Sequence, residues 1–96
     1  MAFLDELYSR RDEILTIASR HGARSVRVIG SVARGEDRPD SDIDFLVATG
    51  PSVSGWFPAG LIVELQDLLG RRVEVATEAG LRPGLREDVL AEAVPL

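Results

Sequence analysis

The chain has 96 residues, of which 45% are hydrophobic and 28% charged, a composition typical of one globular domain with a modest core. Its net charge of −5 disfavours a broad electrostatic contact with DNA or RNA, and no apolar run approaches the roughly 20 residues needed to cross a bilayer. The chain has no cysteine and an acidic start that differs from a secretory signal, so we expect a soluble cytoplasmic protein forming one domain over residues 1–96.

The predicted order of elements is helix, strand, short helix, strand, helix, strand, helix, which is typical of a small α/β layer fold with about three core strands. Apolar residues three and four positions apart predict one amphipathic helix from Phe3 to Ala18 that ends near Gly22. The elements after it are a strand at 25–29, a short helix at 31–34, a polar loop at 36–41, a strand at 43–48, a connection at 49–58, a helix at 61–69, a strand at 72–77 and a helix at 85–93. The unbroken apolar run of the second strand predicts that it is buried on both faces.

A glycine–serine pair, Gly30 and Ser31, follows the first predicted strand. Gly30 allows a sharp bend and lets the backbone approach a ligand closely. Ser31 places a hydroxyl at a predicted helix N-terminus, where free N–H groups and the helix dipole favour phosphate, and Arg34 adds a positive charge one turn later. A turn with a helix N-cap is the simpler interpretation of these residues.

Two aspartates, Asp42 and Asp44, stand at the head of the second predicted strand. Residues two apart on a strand point to the same side, so the two carboxylates are expected to lie together. Because ionised carboxylates repel each other, the pair favours Mg²⁺ or Mn²⁺, which proteins bind through a few carboxylates and the phosphates of a substrate. The alternative is an Asx turn at Asp42 followed by a solvated Asp44 at the strand end.

One acid, Glu74, interrupts the third predicted strand between Val73 and Val75. Alternation along the strand turns Glu74 away from both valines, either to solvent or toward the aspartate pair. If the third strand lies beside the second, the three carboxylates form a site for two metal ions about 3.5–4 Å apart.

Three other features have simpler interpretations. His21, the only histidine, is expected to end a helix and not to act as a general base. Trp56 and Phe57 are interpreted as an anchor for their loop, a partner contact or a wall for a nucleobase. Arg71 and Arg72 are interpreted as a solvated pair, with a phosphate contact as the lesser alternative.

The pair Gly30-Ser31, ten intervening residues and Asp42-Ile43-Asp44 before an apolar strand together resemble the polymerase-β-like nucleotidyltransferase superfamily. The pattern Gly-Ser-x-Ala-Arg-Gly with Ser-Asp-x-Asp downstream is most similar to the minimal nucleotidyltransferase (MNT) branch, the antitoxins of HEPN/MNT toxin–antitoxin pairs. The resemblance covers essentially the whole chain, including the first helix and the closing helical segment. It implies an α/β (α+β) fold in which a small mixed β-sheet is backed by helices.

This resemblance also implies an activity, the transfer of AMP from ATP to an acceptor by in-line displacement at the α-phosphate. Gly30 and Ser31 would hold the triphosphate, and Arg34 would share the charge that develops on it. Asp42 and Asp44 would chelate two Mg²⁺ ions, or Mn²⁺ in their place.

The resemblance further makes Glu74 the third carboxylate, which positions or deprotonates the acceptor. Members of the MNT branch commonly have aspartate there, so the longer Glu74 departs from the family pattern. The implied partner is a HEPN-domain toxin, often an RNase, whose tyrosine receives the AMP within a hetero-oligomer. Direct contacts with nucleic acid or a membrane are not expected.

Two alternative functions stay open at the level of sequence. The chain is a catalytically weak or inactive antitoxin that neutralises the toxin by covering it, or it is a small-molecule nucleotidyltransferase whose acceptor site comes from a partner subunit. The second alternative needs such a subunit because no residues remain outside the core to hold a large acceptor.

Overall fold

A computed structural model describes residues 2–51, 53, 55 and 57–96. Trp56 lies outside the described residues. The elements in chain order are α1 (Phe3–Ser9), α2 (Arg11–Arg20), β1 (Ala23–Ile29), α3 (Gly30–Arg34), β2 (Ile43–Thr49), α4 (Ala59–Leu69), β3 (Val73–Thr77), a 3₁₀ turn (Glu78–Gly80), α5 (Pro83–Glu92) and β4 (Val94–Pro95). The predicted elements after the first helix are therefore confirmed within one or two residues at most boundaries.

The four strands form one mixed sheet in the order β3-β2-β1-β4. Strand β2 pairs in parallel with β3 and antiparallel with β1, and β1 pairs antiparallel with β4. The mixed sheet implied by the family resemblance is thus confirmed. The sequence did not predict β4, because two residues are too few to show an alternating pattern.

The core lies between the sheet and the helices, and β2 runs through its middle. Phe45, Leu46 and Val47 are consecutive residues of β2 and are almost completely buried, which confirms that this strand is covered on both faces. Leu61 and Leu65 of α4 are buried in the same core. Within the described residues, no helix combines the length and the apolar character that a membrane span requires.

The prediction of one continuous helix at the start of the chain is wrong. The backbone leaves the helical conformation at Arg10, whose φ is −107° and ψ 17°, and the helix divides there into α1 and α2. The side chain of Arg10 turns toward α4 and donates a hydrogen bond to the carbonyl oxygen of Leu68 at 2.9 Å. This contact satisfies a carbonyl near the C-terminus of α4, and a short-range apolar pattern does not reveal it.

Candidate functional site

The predicted site residues meet at one edge of the sheet, where β1 ends and β2 and β3 begin. Asp44 on β2 is the register partner of Ile29 on β1 and of Glu74 on β3. Ile29, Asp44 and Glu74 therefore form one row across three neighbouring strands, and Gly30 follows Ile29 directly as the first residue of α3. The parallel pairing of β2 with β3 produces this row. The sequence predicted it only on the condition that the third strand lies beside the second.

The carboxyl group of Asp44 lies in an environment that disfavours its charge. Partial burial, the negative charge of Glu74 and a hydrogen bond with Glu74 raise the pKa of Asp44 from 3.8 to about 6. The charge of Asp42 acts in the same direction, whereas the charge of Arg34 opposes it. A cation placed among these acids would therefore favour the ionised form of Asp44.

Gly30 approaches the carboxyl group of Asp44 more closely than any other residue type would allow. Its φ is +73°, and a Cβ added to it would lie 2.5 Å from Oδ2 of Asp44. The predicted sharp bend at Gly30 is thus confirmed, and a side chain at this position would occupy the space next to the carboxylate.

Helix α3 begins at Gly30 and ends at Gly35, which has a φ of +71°, as the sequence predicted. Within the described residues the hydroxyl of Ser31, in the first turn, makes no hydrogen bond. The exposed side chain of Arg34 turns to two acids: its Nε lies 2.6 Å from Oε1 of Glu36 and its Nη1 lies 3.2 Å from Oε1 of Glu92 on α5. Ser31 is therefore open to a ligand, whereas Arg34 must exchange partners to contact one.

Asp42 precedes β2 by one residue and faces an arginine. Its Oδ1 lies 3.8 Å from Nε of Arg72, whose side chain is 77% exposed. The neighbouring Arg71 is different, because only 15% of its side chain is exposed and its Nη2 donates to the backbone oxygen of Ser41 at 2.6 Å. The interpretation of the two arginines as a solvated pair is therefore wrong for Arg71, which packs against the loop that leads to Asp42.

A divalent cation fits this site by the chemistry of its donors. Asp42, Asp44 and Glu74 supply carboxylate oxygens, the ligands that Mg²⁺ prefers, and the pKa of Asp44 is raised first by burial and then by the neighbouring negative charges. Within the described part of the chain, no three acidic, histidine or cysteine side chains are arranged to hold one ion. Because Asp42 faces Arg72, a bound cation would compete with that arginine for the carboxylate.

His21 lies away from the carboxylates. It is the C-cap residue of α2, just before the start of β1, whereas Asp44 is paired with the last residue of β1. The six-residue rise of β1 separates the two ends by about 20 Å. Nε2 of His21 lies 3.4 Å from Oε2 of Glu64 on α4, and the prediction that His21 ends a helix is confirmed.

Phe57 packs against the core and is partly buried, which favours the loop-anchor interpretation.

A cavity of about 560 Å³ lies between α1 and the loop that precedes β2. Phe3, Asp5, Asp37, Arg38 and Arg71 are among its lining residues. The carboxylates of the site do not line this cavity. They lie instead on the open edge of the sheet, where a large substrate can reach them.

A mixed sheet that places acids of β2 and β3 beside a glycine–serine turn defines the class of enzymes that transfer nucleotidyl groups. The matching family model is described as nucleotidyltransferase domain and covers residues 11–96, and the chain belongs to this family. The chain is therefore a nucleotidyltransferase, as the motif predicted.

Two relatives carry more specific names. The chain is 38% identical to a protein of Methanocaldococcus jannaschii named as a candidate protein adenylyltransferase, MJ0435, over 85% of this chain and 88% of that protein. It is 37% identical to the protein adenylyltransferase MntA of Thermococcus cleftensis, over 81% of this chain and 79% of that protein.

Solved structures show the same fold. A candidate minimal nucleotidyltransferase superposes with a TM-score of 0.85 at 52% identity, and the match covers 97% of this chain and 95% of the other. A chain from a toxin–antitoxin structure with AMP-PNP superposes with a TM-score of 0.74 at 17% identity, over 88% of this chain and 69% of the other. At that identity the second match shows the fold alone.

Proposed function

We propose that this protein is an antitoxin that transfers AMP from ATP to a tyrosine of a HEPN-domain toxin in a reaction that depends on divalent metal ions. The observation that carries the proposal is the pairing of Asp44 with Glu74 on neighbouring strands together with the close approach of Gly30 to the carboxylate of Asp44, which brings two acids and a backbone turn to one end of the sheet. The family membership supports the reaction type, and the adenylyltransferase relatives support AMP as the transferred group.

In this proposal the triphosphate of ATP lies against the start of α3. The backbone N–H groups of Gly30 and Ser31 and the hydroxyl of Ser31, which makes no hydrogen bond within the described residues, would contact its phosphates. Arg34 would leave Glu36 or Glu92 to pair with a phosphate oxygen, an exchange favoured because both ion pairs are exposed and weak.

The acids of the site would hold two Mg²⁺ or Mn²⁺ ions, with Asp42 and Asp44 as the principal ligands. When bound, these ions activate the attacking hydroxyl and stabilise the pyrophosphate that leaves. Glu74 is exposed beside Asp44, so the hydroxyl of an incoming tyrosine can reach it and transfer its proton to it.

The acceptor is proposed to belong to a second protein, because the acids of the site lie outside the described cavity between α1 and the loop before β2. An acceptor carried by a second protein needs no pocket of its own on this chain. The names of the two adenylyltransferase relatives indicate a protein acceptor, and one neighbour of the same fold comes from a toxin–antitoxin structure; on these grounds we propose that this chain and a toxin form a hetero-oligomer in the cytoplasm.

The proposal is tested with α-radiolabelled ATP, Mg²⁺ and a purified HEPN toxin. Wild-type protein is expected to label the toxin, and the Asp42→Ala and Asp44→Ala variants are expected to leave it unlabelled. Asp40→Ala, which alters an exposed acid of the neighbouring loop, is the matched control and should label normally. A toxin whose acceptor tyrosine is replaced by phenylalanine should not be labelled. Normal labelling by both site variants would contradict the proposal.

Neutralisation by binding alone is the second candidate function. It is favoured by one observation: within the described residues, no three acids are arranged to hold an ion. If this candidate is correct, Asp44→Ala protects cells from the toxin as well as the wild type does, and EDTA does not weaken the protection. A catalytic antitoxin loses its protection in both experiments.

A further inference from the structure

Two adjacent arginines contact the backbone on both sides of Asp42. Nη2 of Arg71 donates a hydrogen bond to the carbonyl oxygen of Ser41, the residue before Asp42, at 2.6 Å. The carbonyl oxygen of Arg72 accepts a hydrogen bond from the amide of Ile43, the residue after Asp42, at 2.9 Å. Because both neighbours of Asp42 are held, the backbone position from which its side chain projects is fixed by this pair of arginines.

The loop before Asp42 is closed into a tight turn that Arg71 also holds. The amide of Ser41 donates to the carbonyl oxygen of Arg38 at 2.9 Å, and the amide of Arg38 donates to Oγ of Ser41 at 2.8 Å. Nη2 of Arg71 donates to the same carbonyl oxygen of Arg38 at 3.0 Å. One nitrogen of Arg71 therefore joins both ends of the turn and links the turn to the residues that precede β3.

Arg71 is itself fixed in place by the first helix. Its guanidinium lies over the ring of Phe3 on α1, 4.1 Å from the ring centroid, and its Nη1 lies 3.9 Å from Oδ2 of Asp37. Stacking on an aromatic ring and donation from a planar fork are properties of arginine that lysine does not share. The Nε of Arg71 is buried and has no hydrogen-bond partner within the described residues, which disfavours this position of the guanidinium.

We propose that Arg71 is a positioning residue that fixes the backbone from which the carboxylate of Asp42 reaches the metal site. The inference rests on the proposed function, because it takes Asp42 as a metal ligand. Groups that orient a metal ligand typically contribute 10–100-fold to metal affinity, even though they do not touch the ion. Loss of the Arg71 hydrogen bonds would free the turn, and Asp42 would then spend part of its time pointing away from the site.

The experiment measures two quantities in the wild type and in Arg71→Gln, Arg71→Lys and Arg82→Gln. The first is the affinity for Mn²⁺ in the presence of a non-hydrolysable ATP analogue, followed by electron paramagnetic resonance. The second is hydrogen exchange at the amides of Ser41 and Ile43. Arg82 is an exposed arginine before α5, so Arg82→Gln controls for the loss of one positive charge.

Arg71→Gln is expected to weaken Mn²⁺ binding about 10-fold or more and to accelerate exchange at both amides, while Arg82→Gln matches the wild type in both measurements. Arg71→Lys should give intermediate values, because its ammonium can reach a carbonyl but cannot stack as a planar fork. If Arg71→Gln does not fold, Arg71→Lys decides the question by the same two measurements.

Unchanged Mn²⁺ affinity in the Arg71 variants would overturn the inference even if their Tm falls, because a purely structural role lowers the Tm without affecting bound metal well below it. Unchanged exchange at the two amides would overturn it as well. Failure of the proposed function has a different signature, in which the wild type and Asp42→Ala bind Mn²⁺ equally. That result removes Asp42 from the metal site, and the inference fails with it.

Discussion

The side chain of Asp44 occupies the space that a Cβ of Gly30 would need, since such a Cβ would lie 2.5 Å from Oδ2 of Asp44. Gly30 also has a φ of +73°, which side-chain-bearing residues rarely adopt. Two independent constraints therefore select glycine at this position, one from the backbone and one from the neighbouring carboxylate.

We expect Gly30→Ala to reduce AMP transfer about 100-fold, because small displacements of catalytic groups have effects of this size. It should also destabilise the protein by about 1–3 kcal/mol through backbone strain. Gly35→Ala is the matched control, since Gly35 has a φ of +71° and no atom within 4 Å of an added Cβ. It should show similar destabilisation in urea and retain most of the activity. Equal activity losses in the two variants would mean that strain alone, and not contact with Asp44, explains the effect.

The raised pKa of Asp44 predicts how stability depends on pH. The folded protein holds the proton of Asp44 up to about pH 6, whereas the unfolded chain releases it near 3.8. The stability contributed by this group is therefore complete below pH 3.8 and is lost as the pH rises through 6. The Asp44→Asn variant has no carboxyl group at this position to ionise, so it should not lose this stability as the pH rises.

In EDTA at neutral pH, Asp44→Asn is expected to be more stable than the wild type by about 1 kcal/mol, a value reduced for the partial exposure of the carboxylate. Urea unfolding at acidic and neutral pH measures this difference, which should shrink under acidic conditions. Asp40→Asn, on the exposed loop, should show no such pH-dependent gain. A pH-independent difference for Asp44→Asn would contradict the assigned pKa.

Glu74 is proposed to accept the proton of the attacking hydroxyl, and its charge also raises the pKa of Asp44. Substitutions can separate these two roles. Glu74→Gln keeps the length of the side chain but removes its charge, so it should lower kcat for AMP transfer at least about 10-fold. It should also lower the pKa of Asp44, because the charge of Glu74 contributes to the raised value. Glu74→Asp keeps the charge and should retain more activity than Glu74→Gln. Transfer kinetics and a ¹³C NMR titration of Asp44 measure these effects, and a Gln variant with unchanged kcat would exclude Glu74 from the reaction.

Arg34 is expected to affect substrate binding more than turnover. Its guanidinium already contacts Glu36 and Glu92, so in the proposed function ATP would compete with both acids for it. Arg34→Ala should raise KM for ATP about 3–10-fold, whereas Glu92→Gln should lower it slightly by releasing Arg34. Steady-state kinetics at low ionic strength measures both effects. A KM for ATP that is the same in all three proteins would remove Arg34 from the nucleotide site.

The sequence predicted the parts of the fold that depend on short-range patterns. The period-two spacing of Asp42 and Asp44 and the apolar run after them located β2, and Gly35 located the end of α3. The parallel pairing that places Glu74 beside Asp44 depends on the order of strands in the sheet, which no local pattern contains. The sequence therefore predicted the members of the candidate site but not their common row.

Long-range contacts account for the two wrong predictions. The sequence suggests that Arg71 is solvated, because charged residues beside a strand are usually exposed. In the structure, Phe3 on a helix far away along the chain covers its guanidinium. Arg10 interrupts an apolar pattern that would suit one helix, and its contact with Leu68 becomes visible only when α4 is in place. In both cases an arginine leaves the expected pattern because it reaches a partner far away along the chain.

The short strand β4 has a consequence for how this protein meets other chains. Val94 and Pro95 pair with Val28 and Arg27 and so cover the outer side of β1, and Pro95 has no N–H group to offer to a further strand. Among the described strands, β3 is therefore the better edge for a strand added from another molecule. Such a strand would run directly alongside Glu74, so an association through this edge would place another chain next to the acids of the site.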